Sequence, residues 1–524
     1  MRRVFVLAAA VIAALLLVPP ATAAPPGEAP SAEAPPVSIT HRTVPGAGGV
    51  PLDAKVIEPR GEGPFPLLVM PASWGMPNHE YVGAAARLAH DSGYVVISYT
   101  ARGFHASGGR VEVGGPEDVA DASKVIDWAL AHTRADPRRI GMGGISYGAG
   151  ISALTAAADP RVRAVAAMSG WSDLVDALYP NRTVSTQAAE SLLALGHLTG
   201  RFGSDLQELE RAYRQHRVES ALHLAAERSP LAVVDRLNRN GTAVLLANAW
   251  EDSLFPPQQI ADMYQRLRGP KRLMLAPGDH AGPEAFGAAG MPNEVWDSAR
   301  RWFDHHLRGV PNGIDAENPV QLKPLTGGTW RGYPDWESVT GRVETGHLGA
   351  PWSEVAAQPR PAWRQEISAG TPTAADSGAI HVNGTLQQFT RIPVTTALPL
   401  VDRRAAAAWW TGPQPRAVAV AGAPRLTAQV VPGQATTSLF AYLYDVDPAG
   451  RAGLITHRPV TLRDAEPGRP QQVDLRLEPA LWEVPAGHRL ALVVDTTDPR
   501  YGGENAPGDR VAFQGPARLE VPTG

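Results

Sequence analysis

The chain contains no cysteine. That absence removes disulfides, a thiol nucleophile and a lipid-modified cysteine behind any leader, so stability has to come from burial. Charge of one sign is lacking too: 48 basic residues against 52 acidic ones leave a net charge of -4. Such a chain has no basic footprint for nucleic acid and no strong field for steering anions, which leaves a small peptide or ester as the expected partner. The apolar run Val4 to Val18 falls short of the roughly 20 residues that a spanning helix needs. The sequence also offers no repeat array, no Cys/His cluster, no HExxH pair and no phosphate-binding loop, so no metal or organic cofactor is expected.

Among the features present, Met1-Arg2-Arg3, the run Val4 to Val18 and Ala21-Thr22-Ala23 follow the order of a basic region, an apolar core and a small-residue cleavage site. This predicts a signal peptide over residues 1–23 and a secreted, extracellular protein with no stable membrane anchor after cleavage. Arg2-Arg3 admits twin-arginine export beside the general route. Residues 24–38, with "PPGEAPSAEAPP" at 25–36, predict a disordered linker, because Pro, Ala and Glu bury too little apolar surface to order a chain. With 524 residues, 44% apolar and 19% charged, the rest has room for roughly two or three domains.

From Pro66 onward, short apolar runs alternate with amphipathic stretches: "FPLLVM" (65–70), a helix near 79–91, "YVVISY" (94–99), a helix from about 117 to 132, then "RRIGMGG" (138–144). Strands alternating with crossover helices predict a parallel sheet covered on both faces. Between Asp173 and Arg239 strand signals stop and charged helical text takes over, with Ser204 and Gln207 as a capping box, which predicts a helical cap over about 173–239. The sheet resumes with "TAVLLANA" (242–249) and "RLMLAP" (272–277), closing an α/β domain over 39–312. From 319 to 522, strand-like runs separated by Pro/Gly turns, with no convincing helix between them, predict an all-β sandwich.

Gly144-Ile145-Ser146-Tyr147-Gly148 is a GxSxG pentapeptide placed where the strand "RRIGMGG" hands over to the helix "YGAGISALTAAA". In that setting the tight turn holds a serine hydroxyl above the sheet edge, and the flanking glycines permit close backbone packing. A serine nucleophile needs a base, and the base needs an acid that fixes its tautomer. Asp252 follows the strand 242–249, and His280 follows the next one. Ser, Asp and His after successive strands is the order of α/β-hydrolases, so Ser146, Asp252 and His280 are the expected triad. Glu251 is the alternative acid; Asp279 is disfavoured because its adjacency to His280 points the two side chains apart. The oxyanion donors are expected to be the main-chain N–H of Tyr147 and a group of the loop "MPASWGMPN", from Ser73 or Trp74. Trp74, Tyr147 and Trp171 are candidates to line a substrate slot, with Trp171 beside the acyl group.

Taken jointly, "SYTARGFHASGG" (98–109), "GISYGAG", "MSGWSDL" (168–174), "NAWEDSLFP", "APGDHAG", "GGTWRGYPDWE" (327–337) and "LEPALWEVPAGHRLALVVDTTDPRY" (477–501) resemble the X-Pro dipeptidyl-peptidases, cocaine esterase and related acylases. The resemblance spans most of residues 40–520. It implies an α/β-hydrolase fold with a helical cap and a C-terminal jelly roll, and hydrolysis of peptide, amide or ester bonds through an acyl-enzyme. In that family a tyrosine after the first core strand supplies an oxyanion donor. Pro71-Ala72-Ser73-Trp74 has none, so Ser73 Oγ or a backbone N–H has to replace it. Release of X-Pro dipeptides further requires a carboxylate for the substrate ammonium, for which Asp173 and Glu190 are candidates; a carboxylesterase or acylase needs only an apolar slot. A different reading, a carbohydrate-binding protein with a vestigial hydrolase domain, rests on Trp409-Trp410 and Trp330/Trp336 as exposed aromatics. Oligomeric state is not legible.

Overall fold

The structure, a computed structural model, describes residues 37–524; the expected signal peptide and nearly all of the expected linker lie outside the described residues. Ten strands form the first sheet: β1 (Val37–Pro45), β2 (Pro51–Pro59), β3 (Phe65–Pro71), β4 (Val95–Tyr99), β5 (Ala135–Ile145), β6 (Val162–Met168), β7 (Ala243–Ala249), β8 (Lys271–Ala276), β9 (Val320–Leu322) and β10 (Arg331–Tyr333). Their order is β1-β2-β4-β3-β5-β6-β7-β8-β9-β10. Every pairing from β4 to β9 is parallel, and antiparallel strands close both edges.

The sheet is buried on both faces, and the side-chain period of two sorts its apolar residues between them. Leu67 and Val69 of β3 pack into one apolar cluster, with Val125, Ile126 and Ile151 from the helices Pro116–His132 and Tyr147–Ala158. Leu68 and Met70 point the other way, against Leu88, Trp302 and Phe303 from the helices Val82–Ser92 and Glu294–Arg308. Strand β7 repeats the division, with Val244 and Leu246 on the first face and Leu245 and Ala247 on the second. Near-continuous apolar text is what a doubly covered parallel strand needs.

The cap region consists of helices at Leu174–Leu178, Thr186–Thr199, Ser204–Arg214, Leu222–Glu227 and Val234–Asn240. Ser204 is not a cap. Gly203 occupies the N-cap position, and Gln207 instead donates to the Phe202 carbonyl at 3.1 Å.

Three boundaries differ from the sequence reading. Val37 and Ser38, the last two residues of the expected linker that are described, lie in β1 and pair with Pro59 and Glu58, so the linker stops short of 38. The hydrolase sheet does not end near 312: β9 pairs with β8 (Leu273 beside Val320) and β10 pairs with β9, so the sandwich begins at about Arg342 rather than 319. Three-residue strands are too short to carry a readable period, which is why they merge with the Pro/Gly-rich text around them. A helix, Asn383–Thr390, also stands in the region expected to be all β. The C-terminal part is otherwise two packed sheets, one of seven strands threaded on Arg510–Thr523 and one of six.

Candidate active site

Strand β5 ends at Ile145, and the chain turns through Ser146 with φ 56° and ψ -117° before the helix Tyr147–Ala158. This conformation is strained for a residue with a Cβ and occurs where a site holds it in place. Here the Ser146 N–H donates to the Met168 carbonyl at 2.8 Å. Gly148 has to be glycine, because a Cβ there would run into the Pro71 carbonyl oxygen.

Asp252 and His280 leave the ends of the adjacent strands β7 and β8 and meet the turn. His280 Nε2 lies 2.9 Å from Ser146 Oγ, and His280 Nδ1 lies 2.9 Å from Asp252 Oδ2. Asp252 Oδ1 also accepts from the N–H groups of Leu254 (3.0 Å) and Phe255 (2.7 Å), so the carboxylate is fixed before the imidazole reaches it. Burial disfavours the imidazolium, yet the charge and hydrogen bond of Asp252, with Asp279 and Glu284 nearby, hold the His280 pKa above its ordinary value. Asp279 faces away from the ring and accepts from the N–H groups of Ser253 and His280.

Glu251 does not touch His280. Its carboxyl group is enclosed and pushed up to about 8 by burial, with Asp279 adding repulsion, and Oε2 has no partner among the described residues. It lines a separate cavity of about 50 Å³ between the sheet and the sandwich, with His457, Arg500 and Tyr501.

The oxyanion candidates separate sharply. The main-chain N–H groups of Tyr147 and Trp74 have no hydrogen-bond partner among the described residues. Ser73 is committed elsewhere: its N–H donates to Glu80 Oε2 at 2.7 Å, and its Oγ lies 2.6 Å from Glu80 Oε1 and 2.9 Å from the Ile145 carbonyl oxygen. Ser73 is therefore not a free donor, which corrects the expectation for Ser73 and leaves the Trp74 N–H.

Ser146 opens on an apolar cavity of about 160 Å³ floored by Trp74, Tyr147 and Trp171 and walled by cap side chains such as Leu178, Leu192 and Leu209. Trp171 is fixed by its indole N–H on the Arg228 carbonyl (2.7 Å), and Gly150 makes room for its ring. Glu210 is the one carboxylate among the described residues lining the cavity, and it is paired with His197 and Arg214. Asp173 caps the helix Leu174–Leu178. Glu190 accepts from Tyr213 and Arg214. Neither lines the cavity. The aromatics invoked for carbohydrate binding are not free either: Trp409 is 1% exposed and donates to the Gly349 carbonyl, and Trp330, Trp336 and Trp410 are half-buried.

Other neighbours of the triad were not read from sequence. Glu284, buried and pushed up to about 7, accepts from Ser169, whose Oγ accepts from the Ala281 N–H, tying down the turn after His280. His381, from the C-terminal part, sits at φ 59° with its ring 6.4 Å from that of His280. Its N–H reaches Ser253 Oγ at 3.4 Å. Gly384 packs on the backbone of Asp279. No motif announces these residues; they are found only once the chain is folded.

Residues 48–282 match the family model of the X-Pro dipeptidyl-peptidase (S15 family), and residues 312–518 match that of the X-Pro dipeptidyl-peptidase C-terminal non-catalytic domain. The chain is 24% identical over 346 residues to a cocaine esterase of Rhodococcus sp. (strain MB1 Bresler), an alignment covering 56% of this chain and 59% of that one. It is 24% identical over 402 residues to a putative Xaa-Pro dipeptidyl-peptidase of Streptomyces avermitilis, covering 68% and 52%. The chain thus spans a little over half the length of these curated relatives. Among solved structures, an aminopeptidase from a marine sediment Thaumarchaeota archaeon superposes with a TM-score of 0.72 at 13% identity, covering 96% of this chain and 99% of the other. An α-amino acid ester hydrolase superposes with a TM-score of 0.71 at 15% identity, covering 97% and 100%; both likenesses are of fold. With the two family models covering most of the chain in succession, and an α/β-hydrolase sheet carrying Ser146, Asp252 and His280 in contact, the chain belongs to the X-Pro dipeptidyl-peptidase and cocaine esterase-like serine hydrolases.

Proposed function

We propose that this hydrolase is an exported carboxylesterase or acylase that takes an apolar acyl group into the cavity beside Ser146. His280 Nε2 accepts the Ser146 proton as Oγ attacks the acyl carbon. Asp252 stabilises the imidazolium, and the N–H groups of Tyr147 and Trp74 receive the oxyanion. The leaving alcohol takes its proton from His280, and water releases the acyl group from Ser146 by the same path. The carrying observation is the relay of two 2.9 Å contacts opening on a cavity lined almost wholly by apolar side chains, whose one carboxylate is already paired. Relatives described as X-Pro dipeptidyl-peptidases supply the competing reading, but release of dipeptides needs a carboxylate for the substrate ammonium, and Asp173 and Glu190 are spent on capping and ion pairing.

A fluorophosphonate probe should label the full chain at Ser146 and leave the Ser146→Ala variant unmarked. In parallel, p-nitrophenyl esters of increasing chain length should be hydrolysed and X-Pro anilides left intact; the reverse preference would replace the esterase reading with the dipeptidase one. Export rests on the composition of residues 1–23, and the secreted form should begin at Ala24 by mass spectrometry.

A further inference from the structure

The loop carrying Trp74 and the turn carrying Ser146 come from different strands, and an oxyanion hole built from both requires that they be held in register to a fraction of an ångström. The contacts that do this converge on Ser73 Oγ. It lies 2.6 Å from Glu80 Oε1, 2.9 Å from the carbonyl oxygen of Ile145, the residue before Ser146, and 3.3 Å from Tyr81 OH. Tyr81 OH in turn accepts from the Ile145 N–H at 2.8 Å. Glu80 thus grips the residue before one oxyanion donor at two points, and Ser73 passes that grip to the turn that presents the other.

We propose that Glu80 and Ser73 are positioning residues that stitch the Trp74 loop to the nucleophile turn and so set the spacing of the two oxyanion donors; this rests on the hydrolytic reading above. Proton counting supports it. Ser73 has one hydroxyl proton and two close oxygen acceptors, Glu80 Oε1 and Ile145 O, so with Glu80 ionised one of the two contacts lacks a hydrogen. With Glu80 protonated, its O–H donates to Ser73 Oγ and the Ser73 O–H donates to Ile145 O, while Glu80 Oε2 still accepts from the Ser73 N–H. Every contact is then satisfied. Burial favours this state, pushing the Glu80 carboxyl up to about 7; the titratable groups facing it are Tyr81 and His280.

The test compares Glu80→Ala, Ser73→Ala and Glu80→Gln with the wild type on p-nitrophenyl butyrate. Glutamine reproduces the neutral carboxyl's pattern, one donor toward Ser73 Oγ and one acceptor for its N–H. Glu80→Ala and Ser73→Ala should each lower kcat about tenfold or more with KM within about threefold of wild type, and Glu80→Gln should keep kcat within about threefold near pH 6.5. Thermal melts report whether each variant folds; if Glu80→Ala does not, Ser73→Ala and Glu80→Gln still decide. A kcat within about twofold of wild type in Ser73→Ala, a loss expressed in KM alone, or a Glu80→Gln as impaired as the alanine variants would overturn the proposal. Wild-type protein inert toward both ester and fluorophosphonate would overturn the hydrolytic reading and this proposal with it, whereas equal activity in wild type and variants would overturn this proposal alone.

Discussion

The Asp252 carboxylate accepts from two main-chain N–H groups and from the His280 imidazole. Its orientation therefore survives a neutral replacement, but its charge does not. Asp252→Asn is expected to lower kcat/KM by about 10³- to 10⁴-fold, since an amide favours the wrong tautomer of the ring. The same variant reports on electrostatics. Asp252 is what lifts the His280 pKa against burial, so the acid limb of kcat/KM should move to lower pH in the variant's residual activity. A limb that stays in place would assign that titration to another group. Glu251 supplies the contrast one residue away: it is also a carboxylic acid, but the imidazole contacts of His280 go to Asp252, so Glu251→Gln should leave the chemistry intact.

At the scale of elements, the helix Asn383–Thr390 is the piece most directly tied to the catalytic loop. Gly384 allows the helix to sit on the Asp279 backbone, a Cβ there would lie 2.9 Å from Asp279 Cβ, and Gln388 donates to the Gly282 carbonyl at 3.2 Å. Gly384→Val is expected to displace the loop that carries His280, lowering kcat by about tenfold or more while costing about 1–3 kcal/mol of stability in a urea titration. An unchanged kcat would separate this helix from the catalytic loop. Its part in the site also marks where sequence stops informing. Ser146, Asp252 and His280, which the fold brings into contact, could be picked out in the sequence because each follows a strand whose apolar text is unmistakable. The helix could not, because "NGTLQQFT" is short, polar and carries a glycine in its first turn, and because its contact with residues 279–282 is purely tertiary. Strands β9 and β10 escaped for the same reason of length. Ser73 was a reasonable donor by type; only the position of Glu80 showed that it was already engaged.

Across the whole molecule, the enclosed carboxyl groups set an uncommon pH dependence. Burial holds Glu80, Asp118 and Glu284 up to about 7 and Glu251 up to about 8. In the unfolded chain these groups ionise near their ordinary values of 3.8 to 4.5. Between those limits these carboxyl groups bind more protons in the folded chain than in the unfolded one, so their contribution to stability falls as pH rises through about 5 to 8 and levels off once they ionise. His306, His381 and His457, held below their ordinary value by desolvation, contribute the opposite sign up to about pH 6.5 and are outnumbered. Tm should drop by about 5 °C between pH 5 and pH 8, and Glu251→Gln should flatten part of that decline. A Tm that climbs over this range would show that the carboxyl groups ionise at little cost. The seating of residues 381–388 on the catalytic loop also bears on timing. Ser146, Asp252 and His280 have all been joined to the chain once residue 280 is made, but the segment that braces the base belongs to a stretch synthesised later. Competence thus waits for residues 381–388, and a nascent chain that carries Ser146, Asp252 and His280 but not this segment still lacks the clamp that steadies the base.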